Sequence, residues 1–389
     1  MIPPDKSSTA WQILEKISIA DSPESGDYKS AVQQLREGFD PDALMSLTVR
    51  QGMAPIVADF LDRNDLMTLM PRPVRAALRG SLHWNSHVTN EYTAEASRIV
   101  SSLERAGVSV ACNKGIVLQA TLYHCRNVRF FSDVDLMIRP EDKEATAEVL
   151  RSHGYAEGKR YDFRTRRLVS RPRAEIITYK LYPDHLPHFY RLPADSSLPF
   201  FMVDVAYNLT WYGCSWQIPM SEVLGTVGRV PVSATDPERT LPALSASYGF
   251  LFLVTHLFRE SWFERTIRDK GVRLTQFADV LRYWRRYSDT YGEEIRALIA
   301  QYELGPVVAW VCHYVDQLFD SHLIEQVGKL DTYLDPGWLR SAAAVNGSYL
   351  EWDGNMRHRL RVVGTDLALR QAKAPLFAER VRNYSKGRG

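Results

Sequence analysis

The chain has 389 residues, 45% of them hydrophobic, and a formal net charge of +2; this is ordinary for a soluble globular protein of two or three domains and argues against a dedicated nucleic-acid binder. Four scattered cysteines, Cys112, Cys125, Cys214 and Cys312, form no CxxC pair, which argues against a structural zinc site or a disulfide framework and for free thiols in a reducing compartment. The first residues carry no signal-peptide pattern and no apolar run approaches the ~20 residues of a membrane span, so a cytoplasmic protein with no membrane segment is expected.

The first hundred residues read as helical. Residues 31–39, 42–51, 54–63 and 73–79 carry apolar side chains at helical spacing, and residues 90–106 form a longer helix that Gly107 stops. Residues 108–111 then read as a short strand, 116–123 as a helix, and 130–138 (FFSDVDLMI) as a second strand. Pro140 opens the next helix, because a first-turn residue needs no N–H, and Glu141 and Asp142 suit the same end of the helix dipole. Gly154 closes it. Residues 159–173 read as a loop or hairpin, and 176–181 and 200–205 as further strands. Asp236-Pro237-Glu238 reads as a helix start, with later helices over 272–287, 293–302 and 307–319.

A strand-rich window between helical regions predicts an α+β fold, a small mixed β-sheet flanked by helices. The expected divisions are a helical N-terminal region over 1–84, an α/β core over 85–234, a helical C-terminal domain over 235–350 and a basic tail over 351–389.

The chemistry centres on Ser132-Asp133-Val134-Asp135-Leu136. Strand side chains alternate, so Asp133 and Asp135 are expected on one face, with Val134, Leu136 and Ile138 turned to the core. Two neighbouring carboxylates on a half-buried strand resist ionising together unless a cation sits between them. Mg²⁺ is the natural candidate, since it takes one or two carboxylates plus phosphate and water oxygens. Asp204, within the apolar run 200–205, adds a third strand-borne carboxylate. Three such groups fit two-metal phosphoryl chemistry.

The run from 113 to 155 resembles the uncharacterised nucleotidyltransferase family of the polymerase-β-like superfamily. Lys114-Gly115 before a helix matches the first signature. Arg129, Ser132, Asp133, Val134 and Asp135 match the second, and Gly154-Tyr155 matches the end of the following helix. Asp184-His185-Leu186-Pro187-His188 looks like the family's His-Leu-Pro element. Asp204-Val205-Ala206-Tyr207 is similar to its third acidic strand, with Ala206 in place of a His. His256 and Arg259 resemble a His-x-x-Lys helix, with Arg for Lys, and the stretch from Leu274 to Asp279 resembles a later Leu-to-Asp motif. Together these span roughly residues 85 to 290.

The resemblance implies a nucleotidyltransferase core using NTP as substrate and Mg²⁺, two ions being expected. Asp133 and Asp135 would bridge the metals, and Asp204 would complete the site and orient or deprotonate an acceptor hydroxyl. Gly115 would let the backbone approach the triphosphate. Lys114 and Arg259 would neutralise phosphate charge, with Arg129, Ser132, His256 and Asp279 at the cofactor-binding positions. The activity implied is transfer of NMP to an acceptor with release of pyrophosphate. Two other readings are a non-catalytic binding protein of the same fold and a γ-phosphate phosphotransferase; the Gly-rich loop of kinases is absent.

Two basic segments bear on the unidentified acceptor, a small molecule, a peptide or an RNA end. Lys159, Arg160, Arg164, Arg166, Arg167, Arg171 and Arg173 face one acid, Asp162, in fifteen residues. Tyr161 and Phe163 are interleaved. This could be a landing strip for RNA or peptide, or a solvated loop. From Arg357 onward nine Lys or Arg stand against two acids.

Overall fold

A computed structural model of the chain describes residues 6–173, 176–177, 184–269, 271–362 and 364–382. The chain divides into two compact units, one running from Trp84 to Gly249 and the other built from the residues before and after it.

The flanking unit is helical, with a small sheet. Helices α1 (Lys6–Ile19), α2 (Gly26–Glu37), α3 (Pro41–Arg50) and α4 (Ala54–Arg63) open it. Asp40 caps α3 by accepting the backbone N–H groups of Asp42 and Ala43, which satisfies two orphan donors of the first turn. The helices expected over 73–79 and 90–106 are one helix, α5 (Arg72–Arg105), which contains the unit boundary. Gly80 lies inside it, exposed, and costs only about 1 kcal/mol there.

The central unit carries a seven-stranded mixed sheet. In chain order its strands are β1 (Val110–Cys112), β2 (Val134–Ile138), β3 (Ala156–Glu157), β6 (Phe189–Arg191), β7 (Phe201–Ala206), β8 (Gly228–Pro231) and β9 (Thr240–Ala243). Their spatial order is β3-β6-β7-β2-β1-β9-β8. Strands β4 (Lys159–Asp162) and β5 (Arg167–Ser170) form a separate hairpin. Helix α6 (Lys114–Thr121) follows β1, and α7 (Lys143–Ser152) follows β2. One core joins Tyr92, Ala96, Ile99 and Leu103 of α5 to Val134, Leu136 and Ile138 of β2 and to Phe201, Val203 and Val205 of β7. The alternate residues Asp135 and Asp204 therefore take the opposite face.

Several expectations are corrected. The strand over 130–138 begins only at Val134, and Asp133 lies in the bend before it. The reason is the partner: β1 gives way to α6 at Lys114, and the last ladder-like bond is Asn113 N–H to the Asp135 carbonyl. Beyond it the Ser132 carbonyl accepts the Tyr92 hydroxyl, at 2.7 Å, in place of a sheet bond. Asp236-Pro237-Glu238 forms a turn, closed by Arg239 N–H on the Asp236 carbonyl. The residues after it form β9, where Ala243 pairs in parallel with Cys112 and Leu241 is buried. The next helix, α8 (Ala246–Trp262), starts ten residues later than the Asp236 signal. Of the strand expected over 176–181, Ile176 and Ile177 are helical and the rest lies outside the described residues.

In the flanking unit the stretches expected as two helices over 272–287 and 293–302 are a single helix, α9 (Leu274–Gln301). Helix α10 (Gly305–Phe319) follows. Buried Arg282 donates to the Ser18 and Ala20 carbonyls at the end of α1, so it ties two distant stretches of chain by serving orphan helix acceptors. The basic C-terminal region contains a three-stranded sheet, β10 (Ser341–Ala343), β11 (Tyr349–Glu351) and β12 (Arg370–Ala372), with Ala342, Leu350 and Leu367 packed on Ile267. Among the described residues no helix is long and apolar enough to cross a membrane.

Candidate active site

The acidic edge is built by strand register. β2 and β7 run parallel, and Asp135 is the direct partner of Asp204, which places their backbones one strand spacing apart, about 4.8 Å. Asp133 precedes β2 and is half-buried, while Asp135 is buried and Asp204 nearly so. The structure thus brings the three carboxylates to one region of the central unit, with Asp133 on a bend and not on the shared strand face that alternation predicts.

Lys114, expected from sequence to meet phosphate, also faces the acids. Its ammonium lies 2.6 Å from Asp135 Oδ1. Burial works against that charge, but Asp135, Asp204 and Asp133 outweigh it and hold the Lys114 ammonium above the ordinary lysine range. Lys114 also adopts φ +41° as the first residue of α6, a conformation uncommon outside glycine. The cation that adjacent carboxylates demand is thus supplied by the protein itself. Gly115 has a packing reason to be glycine: a Cβ there would meet Phe131 Cβ and Cγ at 3.0 Å.

Asp204 has its own partners. His185 Nδ1 is 3.2 Å and His188 Nε2 3.6 Å from its Oδ1. A carboxylate only accepts, so the His185 ring donates in this pair. Burial would raise the Asp204 pKa, but His185 and His188, with Lys114 behind them, hold its carboxyl well below the usual range. The bridge of His185 to Ala206, with Leu186 N–H on the Val205 carbonyl, lays this segment antiparallel along β7. The sequence assigns these histidines no role; two histidines three apart before an acidic strand are the signal it carries.

Arg129 and Ser132 sit in the segment leading to β2. The Arg129 backbone N–H donates to Gln119 Oε1 at 2.7 Å, and Ser132 is exposed. Glu95 of α5 was missed from sequence. It is buried, accepts the Tyr155 hydroxyl at 2.5 Å and pairs with Arg191 at 2.9 Å and with Arg98. Burial would raise its pKa, but these partners hold its carboxyl low. This network anchors α5 to the end of α7 and to β6 and has a structural role.

His256, Arg259 and Asp279 belong to the flanking unit. His256 Nε2 stands 3.5 Å from Glu260 Oε2, which also accepts Gln276 Nε2 at 2.5 Å. Asp279 is fully buried in α9.

These features define an α+β fold with paired aspartates on adjacent central strands. The chain belongs to the uncharacterised nucleotidyltransferase family, whose model matches residues 37–320. A comparison with curated proteins gave no match.

Proposed function

We propose that the protein transfers NMP from an NTP to an acceptor hydroxyl and releases pyrophosphate. The observation that carries this reading is the in-register placement of Asp135 beside Asp204, with Asp133 just before β2, inside a nucleotidyltransferase family match. The donor set is all carboxylate oxygen, which suits Mg²⁺. Among the described residues no three acidic, His or Cys groups are gathered as a finished metal cage. Lys114 instead holds positive charge against Asp135, which supports a demand for positive charge at this edge. Asp133, Asp135 and Asp204 are the groups that would hold one or two ions. Bound Mg²⁺ would supply the positive charge that offsets the triphosphate.

The remaining work falls to the chain's own side chains. The acceptor oxygen forms a bond to the α-phosphorus as the bond to the β-phosphate bridging oxygen breaks, and pyrophosphate carries away the electron pair. The acceptor proton must leave. A carboxylate held as low as Asp204 is a weak base, so we assign Asp204 to orienting the acceptor hydroxyl, with the proton passing to water. Lys114, whose ammonium lies beside Asp135, would offer that positive charge to phosphate oxygens. Arg129 and Ser132 would line the same segment. His256, Arg259 and Asp279 keep the nucleotide-side roles that the family resemblance implies. Arg259→Ala is then expected to weaken NTP binding by about 1.5–3 kcal/mol, the worth of a charge-assisted hydrogen bond.

Calorimetric titration of NTP with and without Mg²⁺ tests the reading. Mg²⁺-dependent binding that is lost in Asp135→Asn and Asp204→Asn is expected. NTP binding indifferent to Mg²⁺ and to both substitutions would contradict it.

A further inference from the structure

The β4–β5 hairpin carries charge that the fold leaves uncompensated. Its one acid, Asp162, is engaged in the turn: its carboxylate accepts the Arg164 N–H at 2.9 Å and the Thr165 hydroxyl at 2.8 Å. Lys159 donates to Ser170 Oγ, and Arg171 donates to the Lys159 carbonyl and lies over the Tyr190 ring. Arg160, Arg164, Arg166 and Arg167, by contrast, are exposed, and none meets an acid at ion-pair distance among the described residues.

An aromatic step rises beside them. Phe163 is 73% exposed, although its ring contacts Tyr161 edge-on at 5.0 Å and Phe200 at 6.0 Å. Tyr161 also packs on Phe200 at 4.9 Å, and Phe200 on Tyr190 at 5.6 Å. Phe200 immediately precedes β7, the strand of Asp204. Tyr190 pairs with Met202 of β7, two residues before Asp204, so the ring stack at the base of the hairpin abuts the strand that carries the acidic edge. Arginines without acids, alternating with an exposed ring on a stack of rings, match a polyanion whose bases can stack.

We infer that this hairpin is a binding arm for a single-stranded polynucleotide and presents its end as the acceptor. The acceptor role rests on the nucleotidyl-transfer reading; the binding role does not. Each phosphate neutralised by an arginine releases counterions, so binding falls with salt, and each stacked base adds affinity without sequence preference. An acidic peptide would use the arginines but not a base-stacking ring.

The test is fluorescence anisotropy with a labelled 20-nucleotide single-stranded RNA of mixed sequence. The same DNA strand, an RNA duplex and a poly-glutamate peptide serve as further probes, on the full chain. The expected result is single-strand binding weakened at least thirtyfold by the triple substitution Arg164→Ala, Arg166→Ala, Arg167→Ala. Its dependence on log salt should drop by about two, at ~0.7 per lost phosphate contact. Phe163→Ala should weaken it roughly tenfold at unchanged salt dependence. All four residues are exposed, and matching thermal melts confirm that the variants fold. RNA and DNA arms that differ identify the sugar as a second determinant and still support the arm. Equal binding by the triple variant and wild type overturns it. So does poly-glutamate binding as tight as RNA with no effect of Phe163→Ala, which would make the partner an acidic protein. Single-strand binding through these residues with no NMP transferred upholds the arm and counts against the transfer reading instead.

Discussion

The acidic edge and the basic hairpin belong to one unit and treat charge in opposite ways. At the edge the strand-borne carboxylates are answered from within: Asp135 by Lys114, Asp204 by His185 and His188. On the hairpin the single acid is tied into its own turn, and four arginines face solvent, none of them at ion-pair distance from an acid among the described residues. The difference teaches where partners must come from. Buried charge has to be neutralised in the free protein because its desolvation is expensive, so the edge carries the Lys114 ammonium against Asp135. Exposed charge costs little to leave alone and is available to a polyanion.

The sharpest way to break this comparison is to remove the edge charges. Asp133→Asn, Asp135→Asn and Asp204→Asn are each expected to lower the nucleotidyl-transfer rate by about 10³-fold or more, because transition-state charge is stabilised mainly by preorganised electrostatics. A steady-state assay with retained Mg²⁺ dependence checks it. Next comes stability. Asp135→Asn strands the Lys114 ammonium and should cost about 2–3 kcal/mol in urea unfolding, and Lys114→Met a similar amount. The double variant should be more stable than the sum of the two losses by at least 1 kcal/mol. Additive losses would mean that the pair is incidental.

A smaller effect follows pH. The folded-state pKa of Asp204 is depressed, so its stabilising contribution is complete above its unfolded value near 4 and disappears as pH falls through the lower folded value. The stability gap between wild type and Asp204→Asn should be full at about pH 5, where the imidazoles facing the carboxylate can be charged, and should close below about pH 4 as the carboxyl takes up its proton. A gap that persists undiminished at about pH 2 would contradict the depressed Asp204 carboxyl. The smallest effect belongs to the hairpin. Replacing Arg164, Arg166 and Arg167 together by Ala should change unfolding free energy by no more than about 0.5 kcal/mol, since no partner is lost. A larger loss would show that these arginines serve the fold.

Much of this was legible in the sequence where local pattern and burial agree. Val134, Leu136 and Ile138 alternate with Asp135, as Val203 and Val205 alternate with Asp204, and both strands form as that alternation demands. The mixed sheet flanked by helices followed from the same signals. What could not be read depends on distant neighbours. Thr240–Ala243 holds a proline and only four residues, and becomes a strand because β1 offers it an edge. Asp236-Pro237-Glu238 has good helix-start chemistry, yet that edge wins. Lys114 was assigned to phosphate because nothing local places its ammonium on a residue twenty-one positions away. His185 and His188 were visible as residues, but their convergence on one oxygen of Asp204 needs the segment laid along β7.

The central claim is that the acidic edge transfers the nucleotidyl group of an NTP. Its most direct test follows the label when the protein, Mg²⁺ and a single-stranded RNA acceptor are incubated with NTP labelled at either the α- or the γ-phosphate. The account predicts that the α-label becomes acid-precipitable on the acceptor while the γ-label leaves as pyrophosphate, and that neither happens in Asp135→Asn. Transfer of the γ-label to the acceptor, with the α-label recovered in NDP, would contradict it.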